Sequence, residues 1–229
     1  MERILNLVRL LQFSDSAFPT GAFSFSNGLE SATEHGMVCD SETLREYVRT
    51  MTTQTAHTDA VIAINTYRNH KQSDYEGICR ADKMVVCYKL NEESRAMSIR
   101  MGRKMAELAC RLCSDMMLKR WLTDITGGQT CGTLPVAQGL TFAACDLSES
   151  ALFCSQLYGT ANIILGAALR CMRISHYDTQ QILFSLNTHF ETLYQEAREM
   201  KLENINTFSP EADIFTALHE KGKKRLFMN

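Results

Sequence analysis

The chain has 229 residues, of which 45% are apolar and 22% are charged, and its net charge at pH 7 is −2. A chain of this length can bury a core without disulfide or metal support, and its composition is typical of a folded protein rather than a disordered one. The balanced charge provides no basic field, which argues against nucleic-acid binding.

Helical periodicity dominates the chain. Met97, Met101 and Met105 recur at a spacing of four residues, which places them on one helix face, and such a stripe is more often core than a metal or peptide site. Asp40 predicts a helix start, and so does a capping box at residues 73–76. The predicted helices span residues 2–12, 26–35, 41–56, 58–70, 73–90, 92–114, 115–125, 135–144, 148–172, 177–199 and 210–219.

With only three prolines and 12 glycines, the chain has too few turn residues for an all-β protein. No Pro- or Ser-rich linker divides it. We therefore predict a single all-α domain over residues 1–229, a bundle of about ten helices. A short basic tail, residues 220–229, is expected to be flexible when unbound because it is too short for a stable helix of its own.

The cysteine pattern, the N-terminus and the length of the apolar runs together predict a cytoplasmic protein. The nine cysteines are scattered and odd in number, which favours reduced, buried thiols in a cytoplasmic protein. The N-terminus does not read as a signal peptide, and the apolar run at residues 163–169 is far shorter than the ~20 residues of a membrane span. We expect no membrane association.

Motifs for catalysis or cofactor binding are weak. The glycine-rich stretch at residues 127–132 lacks the lysine of a phosphate-binding loop, and Cys110 with Cys113 is a single pair, not a zinc signature. We therefore expect no catalytic residue, no metal site and no cofactor. Two alternatives stay open: a stand-alone helical enzyme built from His57, Asp59 and cysteines, or an effector-binding regulator, which the missing basic DNA-binding helix disfavours.

Residues 14–30 resist a purely structural explanation. They read Ser-Asp-Ser-Ala-Phe-Pro-Thr-Gly-Ala-Phe-Ser-Phe-Ser-Asn-Gly-Leu-Glu, which is too irregular for a helix and too apolar for a linker. A hairpin ending in Asn27-Gly28 is disfavoured because no matching strand follows. The stretch is either a loop that fills the end of the bundle or a contact surface.

Together with the preceding Leu11-Gln12-Phe13, this stretch gives a block, residues 11–30, that closely resembles the N-terminal signature of the UreF family of urease accessory proteins. Two further blocks resemble the family's middle region and C-terminus, in family order across nearly the whole chain: residues 134–139, 167–170 and 178–183, then 209–214, 219–220 and 225–227. Lys223 and Lys224 stand where the family usually has Tyr-Ser.

The resemblance implies an all-helical, usually dimeric protein that is not itself an enzyme. Members of the family bridge UreD (also called UreH) to the GTPase UreG, and the assembly loads nickel into apo-urease. The resemblance therefore implies UreD/UreH, UreG and apo-urease as partners, and a homodimer. The partner-binding residues implied by the matched blocks are Pro19, Gly21, Phe23, Ser24, Ser26, Gly28, Glu30, Arg170, His219, Glu220, Arg225, Leu226 and Phe227.

Three expectations assign these residues to surfaces. The apolar run at residues 163–169, flanked by Arg170, is expected to carry the homodimer. The N-terminal block either packs inward through Phe23 or binds UreG through Ser24 and Glu30. The tail is expected to become ordered on UreD through Leu226 and Phe227, which have no evident intrachain role in the sequence.

Overall fold

The computed structural model describes residues 3–206, 209–220 and 226–228. Within these ranges the chain forms eleven α-helices and no β-strand, which confirms the predicted all-α class. The helices are α1 (Ile4–Ser14), α2 (Leu29–Glu34), α3 (Ser41–His57), α4 (Asp59–Lys71), α5 (Tyr75–Tyr88), α6 (Glu92–Leu112), α7 (Met116–Thr126), α8 (Leu134–Ala144), α9 (Glu149–Cys171), α10 (His176–Ala197) and α11 (Pro210–Glu220). Short 3₁₀ turns lie at Ala22–Ser24 and Leu202–Asn204.

Helices α4, α8 and α9 form the centre of the bundle. Residues 60–64 of α4 are all buried, so this helix is surrounded by protein on every side. Helix α8 approaches α4 so closely that a Cβ on Gly139 would lie 2.6 Å from the carbonyl oxygen of Ala63. Only glycine permits this approach without a backbone shift.

The glycine-rich stretch at residues 127–132 connects α7 to α8. The buried carboxylate of Asp82 accepts hydrogen bonds from the backbone N–H groups of Gly132 and Thr133, at 2.8 and 2.9 Å. It also accepts from the hydroxyls of Thr130 and Thr133, each at 2.5 Å. These two N–H groups, which a phosphate would need, are therefore already occupied by an anion of the chain itself.

Helix α9 is a core helix, so the apolar run that is predicted to carry the homodimer is largely packed inside the chain. Ile164 and Leu165 are buried inside the chain, as are Ala167 and Ala168, and only the remaining side of the run is partly accessible. Helix α9 is also the one described helix long and apolar enough to span a bilayer, but 56% of that window is buried within the protein. The apolar character of α9 is explained by its packing against α2, α3, α4 and α10.

Local capping decides several helix boundaries. Asp40 caps α3 in a capping box with Thr43, as the acidic opening indicated. The capping box predicted at residues 73–76 is wrong: Ser73 adopts a left-handed conformation, and Asp74 caps α5 by accepting from Gly77 N–H. Helix α2 starts at residue 29 rather than 26 because Asn27 and Gly28 both have positive φ.

Candidate partner-binding site

The N-terminal signature forms a shaped loop between α1 and α2. Gly21, with φ 90°, opens the 3₁₀ turn, while Phe25 and Ser26 turn inward and are buried. Gly28, with φ 80°, lies where any Cβ would approach the Thr216 hydroxyl of α11 to 2.9 Å. Positive φ and lack of space together make glycine necessary at this position.

Phe23 lies at the tip of this loop and faces solvent. Its side chain is 76% exposed, so the alternative in which Phe23 fills the core is wrong. Truncation of an exposed ring opens no core cavity and is expected to cost far less than the ~3 kcal/mol of a buried phenylalanine. The loop fills the end of the bundle through Phe25 and leaves Phe23 exposed.

Arg170, at the end of α9, holds this loop and the chain's C-terminus together. Its Nη2 donates to the backbone oxygen of Phe23 at 3.0 Å. The guanidinium carbon lies 4.1 Å from the ring centroid of Phe23 and 4.0 Å from that of Phe227, so the cation is stacked between two aromatic rings. This geometry is a double cation–π contact, and burial of the guanidinium lowers the pKa of Arg170 from its ordinary value.

Glu30 anchors the C-terminal residues. Its buried carboxylate accepts from the backbone N–H of Leu226 at 2.7 Å and of Phe227 at 3.2 Å. The next residue, Met228, donates its N–H to the carbonyl oxygen of Ser24 at 2.8 Å. Charge-assisted bonds of this kind are about twice as strong as neutral ones, so the carboxylate fixes the path of the chain here.

The expectation that Leu226 and Phe227 have no intrachain role is therefore wrong for Phe227. This side chain is 5% exposed and belongs to the same apolar cluster as Leu29 and Ile164. Leu226 and Met228, by contrast, remain 71% and 47% exposed. The described part of the tail is thus packed on the chain, with two apolar side chains left facing outward.

The structure brings six of the implied partner-binding residues into one place: Phe23, Ser24, Glu30, Arg170, Leu226 and Phe227. We call the outward-facing group of Phe23, Arg170, Leu226 and Met228, beneath which Phe227 is buried, the Arg170 edge. Sequence reasoning missed Met228, whose sulfur lies 3.1 Å from the Arg100 guanidinium of α6.

The other implied partner-binding residues lie away from this edge, shape the loop, or fall outside the described residues. Pro19 and Gly21 are exposed and shape the loop, while Ser26 accepts from the Glu30 N–H at 3.5 Å. Arg225, and the side chains of His219 and Glu220, lie outside the described residues, as do Lys223 and Lys224.

A cavity of about 370 Å³ lies beside the Arg170 edge. Its walls combine Phe23 and Arg170 with Met97 of α6 and with Ile163 and Gly166 of α9. The methionine stripe is core as predicted at Met101 and Met105, which are 3% and 1% exposed, although both also reach the cavity wall.

The residues proposed for a stand-alone enzyme site are engaged separately. His57 Nε2 lies 3.0 Å from Glu196, whereas Asp59 accepts from Tyr88 and, at 3.0 Å, from Lys89. Burial raises the pKa of Tyr88 well above its ordinary value. In the part of the chain that the structure describes, no three His, Cys, Asp or Glu side chains are placed to hold a metal ion.

A second apolar surface was missed by sequence reasoning. Helix α1 leaves Ile4, Leu5, Val8 and Leu11 between 53% and 75% exposed, while Phe13 on its other face is buried. The signal was present in the sequence, because apolar residues occupy both faces of this helix.

Comparison with known proteins gives consistent matches over nearly the whole chain. The UreF family model matches residues 38–187. The urease accessory protein UreF 2 of Brucella canis is 45% identical over 223 residues, covering 97% of this chain and 92% of the relative. The urease accessory protein UreF of Yersinia enterocolitica is 41% identical over 224 residues, covering 98% of both chains.

Proposed function

Because the chain belongs to the UreF family of urease accessory proteins, we propose that it bridges UreD/UreH to the GTPase UreG while nickel is loaded into apo-urease. It is an accessory protein of urease maturation and not an enzyme. In this proposal it acts in the cytoplasm, and nickel is the cargo of the assembly rather than a resident cofactor of this chain.

The Arg170 edge is the observation that carries the proposal. The side chains of Phe23, Leu226 and Met228 are exposed, although hydrogen bonds from Arg170 and to Glu30 fix the backbone of the loop and of the C-terminal residues. A surface that is ordered before binding loses little conformational entropy when a partner docks. We assign this edge to UreD/UreH, whose matching surface would bury Leu226 and Phe23.

The contribution of Leu226 to the free energy of binding UreD/UreH can be measured separately from its contribution to folding. Leu226 is 71% exposed, and burying a leucine side chain contributes about 1.5–3 kcal/mol, or about 10–100-fold in affinity. Its side chain is not needed for the intrachain contacts, because only its backbone N–H bonds to Glu30. A polar replacement at residue 226 therefore separates partner binding from folding.

The proposal is tested by co-purification with UreD/UreH, UreG and apo-urease. Leu226→Ser should reduce UreD/UreH retention at least about tenfold with an unchanged melting temperature. Met116→Ser is the matched control, since Met116 is 87% exposed on α7 and outside the edge, and it should retain UreD/UreH at wild-type yield. Wild-type retention by Leu226→Ser would contradict the assignment.

We include a homodimer in the same proposal. Because residues 163–169 are largely buried inside the chain, we assign the contact between the two copies to another surface. On α10, Tyr177 and Phe184 are 83% and 78% exposed and stand seven residues apart on one side of the helix. We assign the two-fold contact to this aromatic face. Light scattering should give a dimer for the wild type and a monomer for Tyr177→Ser/Phe184→Ser, and a monomeric wild type at tens of micromolar would contradict the assignment.

A further inference from the structure

Two cysteines that are far apart in the sequence meet at the ends of α6 and α8. Cys113 is the C-cap of α6 and Cys145 the C-cap of α8. Their sulfur atoms lie 2.6 Å apart although both are free thiols. This separation is closer to the ~2.05 Å of a disulfide bond than to the distance at which unbonded sulfur atoms pack.

The surroundings of the pair give the two thiols different reactivity. A hydrogen bond from Cys145 and the positive charge of Arg9 lower the pKa of Cys113 to about 7, against the opposing effects of burial and of Asp115. The same contact and burial raise the pKa of Cys145. Since the thiolate is the nucleophilic form, Cys113 is the attacking sulfur at neutral pH.

We propose that Cys113 and Cys145 form a reversible disulfide on oxidation by a peroxide. The Cys113 thiolate attacks one oxygen of hydrogen peroxide and breaks the O–O bond, which gives a sulfenic acid and, with a proton, one water. The Cys145 sulfur then attacks the Cys113 sulfur, losing its own proton and displacing hydroxide, which leave together as a second water. Two thiols are oxidised to one disulfide and one peroxide is reduced to two waters; an external dithiol reverses the reaction by exchange.

The bond would act as a clamp beneath helix α1. Arg9 of α1 donates to the carbonyl oxygen of Cys145 at 2.9 Å, and Asn6 donates to that of Asp146 at 3.2 Å. Helix α1 is therefore attached to the turn that carries Cys145. Oxidation would join this turn covalently to the end of α6 and fix the platform on which α1, with its exposed apolar face, rests.

The test is peroxide treatment of the full-length protein followed by peptide mapping without reduction. The expected product is one linked peptide pair, Cys113–Cys145, about 2 Da lighter than the two thiol peptides, with a melting temperature higher by about 5–10 °C that dithiothreitol reverses. Cys113→Ser should abolish the product. Cys145→Ser should leave a sulfenic acid at Cys113 that dimedone traps.

Cys110→Ser is the matched control. Cys110 lies one turn before Cys113, and burial raises the pKa of its thiol, so this variant should form the Cys113–Cys145 product at the wild-type rate. The proposal is overturned if Cys113 remains open to alkylation after treatment, or if it pairs with Cys110 instead. It does not depend on the proposed function, because the product is measured on the isolated chain.

Discussion

Replacing Glu30 tests whether a single carboxylate holds the C-terminal residues on the chain. Glu30→Ala removes the acceptor of the Leu226 and Phe227 N–H groups. A hydrogen bond to a charged group contributes about 1.5–3 kcal/mol, and the Phe227 N–H would be left buried without this partner. We expect docking of residues 226–228 to weaken by about 2–4 kcal/mol in total, less than two independent bonds would give, because the segment can move into solvent.

Hydrogen exchange measures this local effect directly. A loss of 2–4 kcal/mol corresponds to protection factors about 30- to 1,000-fold lower at the amides of Leu226 and Phe227. Glu34→Ala, an exposed position at the other end of α2, should leave both amides unchanged. If protection at these amides is the same in Glu30→Ala as in the wild type, the anchoring role is refuted. Because Glu30 is buried, we also expect Glu30→Ala to lower the melting temperature.

Two further predictions concern stability, and both use urea unfolding followed by the fluorescence of Trp121, the single tryptophan and fully buried. Gly166→Ala should stabilise the chain by about 0.5–1 kcal/mol, because open space surrounds the new methyl group and alanine favours a helix. Gly102→Ala should instead cost at least about 1–3 kcal/mol, because its Cβ would lie 2.3 Å from a backbone oxygen. Equal effects of the two substitutions would contradict the described packing. Hydrogen bonds from the backbone and side chain of Thr43 hold the pKa of Asp40 below its ordinary value of 3.8, so the stabilisation is present above about pH 4 and is lost as the pH falls through the lowered pKa. Asp40→Asn should flatten this acid-side decline, and an unchanged pH profile would refute the contribution of the cap.

Local features of the fold were predictable because they depend on short-range patterns. The spacing of Met97, Met101 and Met105 predicted α6, and Asp40 predicted the start of α3. The wrong prediction of a cap at Ser73 has a local cause as well. Ser73 and Asp74 are adjacent and either could cap α5, but the carboxylate of Asp74 forms the cap. Periodicity fixes a helix but does not say which of two neighbouring polar residues caps it.

The candidate site was predictable only in part. Similarity to a family supplied Phe23, Arg170 and Leu226 as separate residues, but their meeting depends on contacts 147 and 196 residues apart in the chain. No short-range pattern encodes such contacts. The apolar run at residues 163–169 was ambiguous for a related reason, because a continuous apolar helix segment suits a core and an interface equally well.

We propose that the Arg170 edge is where this chain engages the urease maturation assembly. The most direct measurement is nickel content and activity of urease in cells whose own UreF gene is replaced by Leu226→Ser or by Met116→Ser. We expect a clear loss of bound nickel and of activity with Leu226→Ser and wild-type values with Met116→Ser. Full nickel loading by a stably folded Leu226→Ser variant would contradict it.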